Sequence, residues 1–142
     1  MKSSLAIFLS SAVMLVLSAC LSGALALPPL SIPAKGLVAQ ITVNGHDVLP
    51  LKTISEPATI SQIIDNLNSL NGPMEVPSLS TYPTPQLTVN FHTASGLGLS
   101  LFMGPGWFGG GDGGTVRLRS ISTAAQAQLL ALLGLSDYNF RK

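Results

Sequence analysis

Ile60, Ile63, Ile64, Leu67 and Leu70 fall on one side of a 3.6-residue repeat. This stripe constrains the chain more than any other feature, because a helix with one apolar side must bury it against a second element. Asp65, Asn66, Asn68 and Ser69 take the opposite side. Ser55-Glu56-Pro57 supplies a start, with a capping residue, an acidic first turn and an early proline. Thr59 with Gln62 is an alternative capping box. Asn71-Gly72-Pro73 supplies the stop, with Gly72 suited to the left-handed position after the last turn.

The second element is a sheet. Leu87, Val89 and Phe91 alternate strictly with Thr88, Asn90 and His92, which is the period of a half-buried strand. Residues 37–43 alternate in the same way through Leu37, Ala39, Ile41 and Val43. Asn44-Gly45 then predicts a tight hairpin into a returning strand at 46–51, with Pro50 marking an edge. After a proline-rich loop over 73–85, Ala94-Ser95-Gly96 turns strand 86–93 into strand 97–103. A last strand covers 115–121, with Val116, Leu118 and Ile121 apolar and Arg117 and Arg119 solvated. Ser122 caps a second helix, Leu129, Leu130, Leu132 and Leu133 form its apolar side, and Gly134 ends it. The order of elements predicts an α+β domain: a small antiparallel sheet of about five strands with two helices packed on one face.

Cys20 is the only cysteine, so the domain must be stable through its core, without disulfides. Beyond Lys2 the chain carries six basic and six acidic side chains, and no basic stripe. That excludes nucleic-acid binding. Met1-Lys2 followed by an apolar stretch over 5–17 has the form of a secretory signal peptide. It ends in Leu17-Ser18-Ala19-Cys20, which resembles the lipobox of bacterial lipoproteins. The resemblance implies that Cys20 becomes the first residue of the mature chain and carries a diacylglycerol thioether and an acylated amine. Two or more acyl chains hold a protein stably on a membrane. In the Gram-negative lipoproteins that this segment resembles, an aspartate after the cysteine favours the inner membrane; with Leu21 there, the resemblance implies the outer membrane, with the domain facing the periplasm. Residues 1–19 are then the signal peptide and 20–33 the lipidated cysteine with a flexible tether containing Pro28, Pro29 and Pro33. Residues 34–142 are a single domain. No cofactor beyond the covalent lipid is expected. Two alternatives stand beside this one. Cleavage after Ala24-Leu25-Ala26 would release a soluble envelope protein, and residues 5–27 are long enough for an uncleaved span.

Seven of the eleven residues from Gly104 to Gly114 are glycine, and Trp107 and Phe108 stand side by side among them. Glycine costs backbone entropy to order, so the segment reads as a mobile loop between two strands. Trp107, Phe108 and Asp112 are the candidate partner-binding residues, because Trp is enriched at interaction hot spots. The competing reading packs one aromatic into the core. The loop lacks a G-K-[ST] and leads into a strand, so it is no phosphate cradle. One carboxylate also falls short of the oxygens calcium needs. His46 and His92 are too few for a metal site and read as solvated. There is no G-x-S-x-G. The chain therefore reads as a lipid-anchored envelope protein with a non-enzymatic binding or assembly domain and an envelope protein as its partner. The alternatives are a hydrolase whose Ser/His site is assembled by the fold, and a periplasmic inhibitor using the Trp107 loop.

Overall fold

The computed structural model describes residues 26–46, 50–77, 83–112 and 115–141, so Cys20 and the leader lie outside the described residues. The strands are β1 (Val38–Asn44), β2 (Pro50–Ile54), β3 (Leu87–Thr93), β4 (Gly96–Gly104), β5 (Trp107–Asp112) and β6 (Thr115–Ser120). The helices are α1 (Pro57–Leu70) and α2 (Thr123–Leu132), and a 3-10 turn over Lys35–Leu37 leads into β1. All neighbouring strands are antiparallel, in the order β2-β1-β3-β4-β5-β6. The α+β architecture is the expected one, with six strands.

Register sorts the side chains. Ile41, Phe91 and Leu99 lie opposite one another across β1, β3 and β4, as do Val43, Val89 and Leu101. Leu87, Met103 and Phe108 form a third row. Directly opposed residues share a face, so these rows make one apolar face. Ile60, Ile63, Ile64 and Leu67 of α1 and Leu129, Leu130 and Leu133 beyond it join them in a single core. At 1.5–3 kcal/mol for each buried aliphatic side chain, the four α1 residues alone contribute about 6–12 kcal/mol gross.

The helix ends follow the chemistry of their residues, with two departures. Ser122 caps α2 by accepting a hydrogen bond from the Ala125 N–H at 3.1 Å. Pro57 opens α1 behind Glu56, whose carboxylate accepts from the Thr59 hydroxyl at 2.6 Å rather than from the backbone. Gly72 is not left-handed; the positive-φ glycines among the described residues are Gly96, Gly106 and Gly134. Asn71 ends α1 in extended backbone instead. Gly72 is small for another reason, since a Cβ there would stand 2.9 Å from the Arg119 guanidinium carbon.

The first hairpin also departs from expectation. Asn44 pairs with Pro50, not with a residue next to the Asn-Gly pair. A two-residue turn would have placed His46 opposite Val43 on the core face. The longer connection places Ile54 opposite Ile41, where it is buried.

The largest correction concerns the glycine-rich segment. Within it, Trp107–Asp112 is a strand and not a loop, paired on both sides between β4 and β6. Its glycines make room for neighbours. A Cβ on Gly109 would lie 2.3 Å from the Arg117 carbonyl oxygen and 2.6 Å from Leu118 Cδ2. A Cβ on Gly110 would lie 3.2 Å from Leu30 Cδ1. Among the described residues of this segment, the turn glycine Gly106, at φ 77°, is the one that needs glycine's conformational freedom.

Leu30 brings in the last correction to the layout. The expected tether is docked well before residue 33. Leu30 is 5% exposed. Its N–H donates to Asn71 Oδ1 at 3.1 Å, and its carbonyl accepts from Asn71 Nδ2 at 2.7 Å. Arg117, expected in solvent, is buried and donates to the Pro28 carbonyl at 3.2 Å. The C-terminal tail packs too: the Gln86 amide brackets the N–H and C=O of Arg141, both at 2.6 Å.

Candidate binding face

The second face of the sheet carries neither helix. Its side chains follow from the same register. Asn44, Thr88, Phe102, Gly109 and Leu118 form one row across β1, β3, β4, β5 and β6. Thr53, Thr42, Asn90 and Ser100 form a second across β2, β1, β3 and β4. Gln40 and His92 begin a third. Thr42, Thr88, Asn90, His92, Ser100 and Phe102 are all half-buried, each neighbour shielding the next.

Two cross-strand hydrogen bonds stiffen the face. Thr42 Oγ1 and His92 Nε2 are 2.9 Å apart, and the Ser100 hydroxyl donates to Asn90 Oδ1 at 2.7 Å. Neither bond uses all the donors and acceptors that these groups carry. Among the described residues, these rows hold no Lys, Arg, Asp or Glu; Lys52 and Arg119 belong to the other face, opposite Val43 and Phe108. The result is a surface of hydroxyls, amides and the His92 imidazole, with Phe102 and Leu118 in its outermost row.

The sequence-selected residues are distributed differently from the expectation. Phe108 is 0% exposed and sits in the core. Trp107, its neighbour, points to the opposite face and is 9% exposed. Adjacent strand residues always diverge in this way. The Trp107 indole lies over Gly104, where a Cβ would stand 2.4 Å from Nε1. It lines a shallow cleft with Pro77, Pro83 and Leu118. The two rings therefore form no joint exposed surface. Asp112 closes β5 opposite Thr115. The β4–β5 turn is clamped by Gln126, which donates to the Gly104 carbonyl at 2.7 Å and accepts from the Gly106 N–H at 3.0 Å. Cys20 lies outside the described residues.

His46 and His92 do not meet. His92 pairs with Gln40, whereas His46 lies two residues beyond Asn44, which pairs with Thr88. Four residues of β3 separate the two positions, about 13 Å of strand. Among the described residues, no three His, Cys, Asp or Glu side chains gather to hold a metal. Thr42 and His92 are a hydroxyl–imidazole pair, as nucleophilic catalysis requires. Such a pair also needs a third group to orient the ring, and among the described residues no carboxylate is bonded to His92. The clefts are small. One of about 280 Å³ is lined by Leu30, Leu97, Leu99, Ser100 and Arg117. A second, also about 280 Å³, is lined by His46, Leu51, Gln86, Tyr138 and Arg141. A third, about 340 Å³, is lined by Lys52, Glu56, Thr59, Leu132 and Leu133. All three lie near the lower end of the roughly 300–1,000 Å³ range of small-molecule sites.

Sequence reasoning passed over this face because it treated Thr88, Asn90 and His92 only as the solvated side of a strand. The signal was present in their composition: the outward positions of β1 and β3, and Ser100 of β4, are polar residues other than Lys, Arg, Asp or Glu. Among the described residues, no helix is long and apolar enough to cross a membrane. Comparison with known family models, curated proteins and solved structures gives no match.

Proposed function

We propose that this chain is an exported, lipid-anchored protein of the bacterial cell envelope, held by Cys20 to the outer membrane and facing the periplasm. Its domain works by binding another envelope protein through the open sheet face. One observation carries the binding reading, namely the neutral hydroxyl-and-amide surface of β1, β3 and β4. Solvated surfaces normally intersperse both signs of charge over about a quarter or more of their residues. A face without charge forgoes that solubility. It removes the cost of desolvating ions when a partner closes over it, and it keeps directional hydrogen bonds for specificity. The anchor reading rests on Leu17-Ser18-Ala19-Cys20 at the end of the apolar leader.

Thr42→Lys and Asn90→Glu, made separately, test the binding reading. Each puts one charge on the open face and leaves the buried core untouched. Crosslinking in intact envelopes should capture a defined partner with the native chain and lose it with both variants, while the melting temperature stays within a few degrees. Undiminished capture of that partner by both variants would refute the assignment of the face.

A further inference from the structure

We infer that the corner of the domain formed by Pro28, Pro29, Pro73 and Val76 is the part held against the bilayer, with β2 turned away from it. The inference rests on the proposed anchor at Cys20. Six residue steps separate Cys20 from Ala26. Whatever their conformation, they span at most about 20–22 Å. The point where the tether meets the domain is fixed, because Leu27 is bridged to Met74. Its N–H donates to the Met74 carbonyl at 2.9 Å and its carbonyl accepts from the Met74 N–H at 3.0 Å. Glu75 and Leu118 exchange the same pair of bonds, both at 2.8 Å. Leu27, the Met74–Glu75 pair and β6 therefore lie side by side, joined by single antiparallel bridges beyond the edge of the six-stranded sheet.

That order sets the distances. β2 lies five strand spacings from β6, and Leu27 lies two beyond β6 on the opposite side. At about 4.8 Å per spacing, the path across the sheet from Leu27 to β2 is roughly 34 Å. The tether is shorter than the sheet is wide. The surface around Leu27 suits a bilayer: Val76 is 58% exposed and Pro28, Pro29 and Pro73 are exposed beside it, with Glu75 the one carboxylate among them. Exposed apolar residues alone would not choose this corner, since Leu51 on β2 is 47% exposed. The length of chain back to Cys20 makes the choice. Standing on this edge, the sheet leaves its neutral face uncovered for a partner.

The lipid occupies the thiol of Cys20, so one introduced cysteine is the only free thiol in the mature chain. Val76→Cys, Pro29→Cys and Thr53→Cys, made in the full chain and labelled with one fluorophore, can be reconstituted into phosphatidylethanolamine/phosphatidylglycerol vesicles containing headgroup spin-labelled lipid. The expected result is loss of most of the emission at 76 and 29 and little loss at 53. Equal quenching at all three sites, or stronger quenching at 53, overturns the inference. Acyl labelling and vesicle flotation of the same preparations separate the two failures. A chain that floats but is quenched equally overturns the orientation alone, whereas a chain without acyl label overturns the anchor and the orientation together.

Discussion

Gly109→Ala distinguishes a strand from a loop by the sign of its effect. If residues 104–114 were a mobile loop, alanine would restrict the unfolded chain and stabilise the domain by about 0.4–1 kcal/mol. In the strand, the new Cβ meets the Arg117 carbonyl oxygen at 2.3 Å and Leu118 Cδ2 at 2.6 Å. Ordinary contacts lie near 3.5–4.0 Å, so β5 and β6 must part by roughly 1 Å. The leucine can rotate, but the carbonyl belongs to the paired backbone and cannot. Overpacking of this kind costs about 1–3 kcal/mol. For residues 27–142, at about 2.1 cal/mol/K of unfolding entropy per residue, that loss lowers the midpoint by roughly 4–12 °C. Gly36→Ala is the control, because nothing lies within 4 Å of its Cβ position. Thermal unfolding followed by far-UV circular dichroism measures both. A Gly109→Ala midpoint at or above that of the native chain, alongside a similar result for Gly36→Ala, would refute the account of β5.

Three further outcomes test the frame around it. Ile64→Ala, at a position 1% exposed, should cost about 2–5 kcal/mol in urea unfolding; a change near zero would mean that α1 does not supply the core. Asn71→Ala leaves the N–H and C=O of Leu30 without their bracket and should cost about 1–3 kcal/mol. It should also raise protease sensitivity ahead of residue 34, and protection equal to that of the native chain would show that the N-terminal segment is held by other contacts. Cys20→Ser should abolish acyl labelling and leave the chain unprocessed or in the soluble fraction, and normal labelling would remove the anchor.

The two helices and four of the six strands were legible because their signals are local. The Ile60–Ile63–Ile64–Leu67 stripe and the alternation through Leu87, Val89 and Phe91 each demand one buried face, and the buried residues are the expected ones. Asn44-Gly45 misled because turn propensity was weighed without the strand that follows. The register is decided by a contact thirteen residues away, Ile41 against Ile54. The docking of Pro28 and Leu30 could not be read locally at all. It depends on Arg117 and Asn71, which are distant in sequence and have no periodic partner.

The glycine run carries the more general lesson. Glycine lowers the cost of close approach as well as raising the cost of order, and composition alone registers only the second effect. What separates the two is the company at every other position. Along β5, Trp107, Gly109 and Gly111 share one face, and Phe108 and Gly110 the other. Each large neighbour then finds a hydrogen where a side chain would have been: Leu118 lies over Gly109, Leu30 over Gly110, and Trp107 itself over Gly104. A run read as W-x-G-x-G beside a leucine-bearing strand is thus compatible with a tightly paired strand. The same pleat explains why an adjacent aromatic pair in such a strand cannot form a single contact surface. The face proposed for binding is instead made of residues that attract no notice singly, the threonines and amides at the outward positions of β1 and β3 with Ser100 of β4. They form a continuous face only because antiparallel register places Thr42 against Asn90 and Asn90 against Ser100.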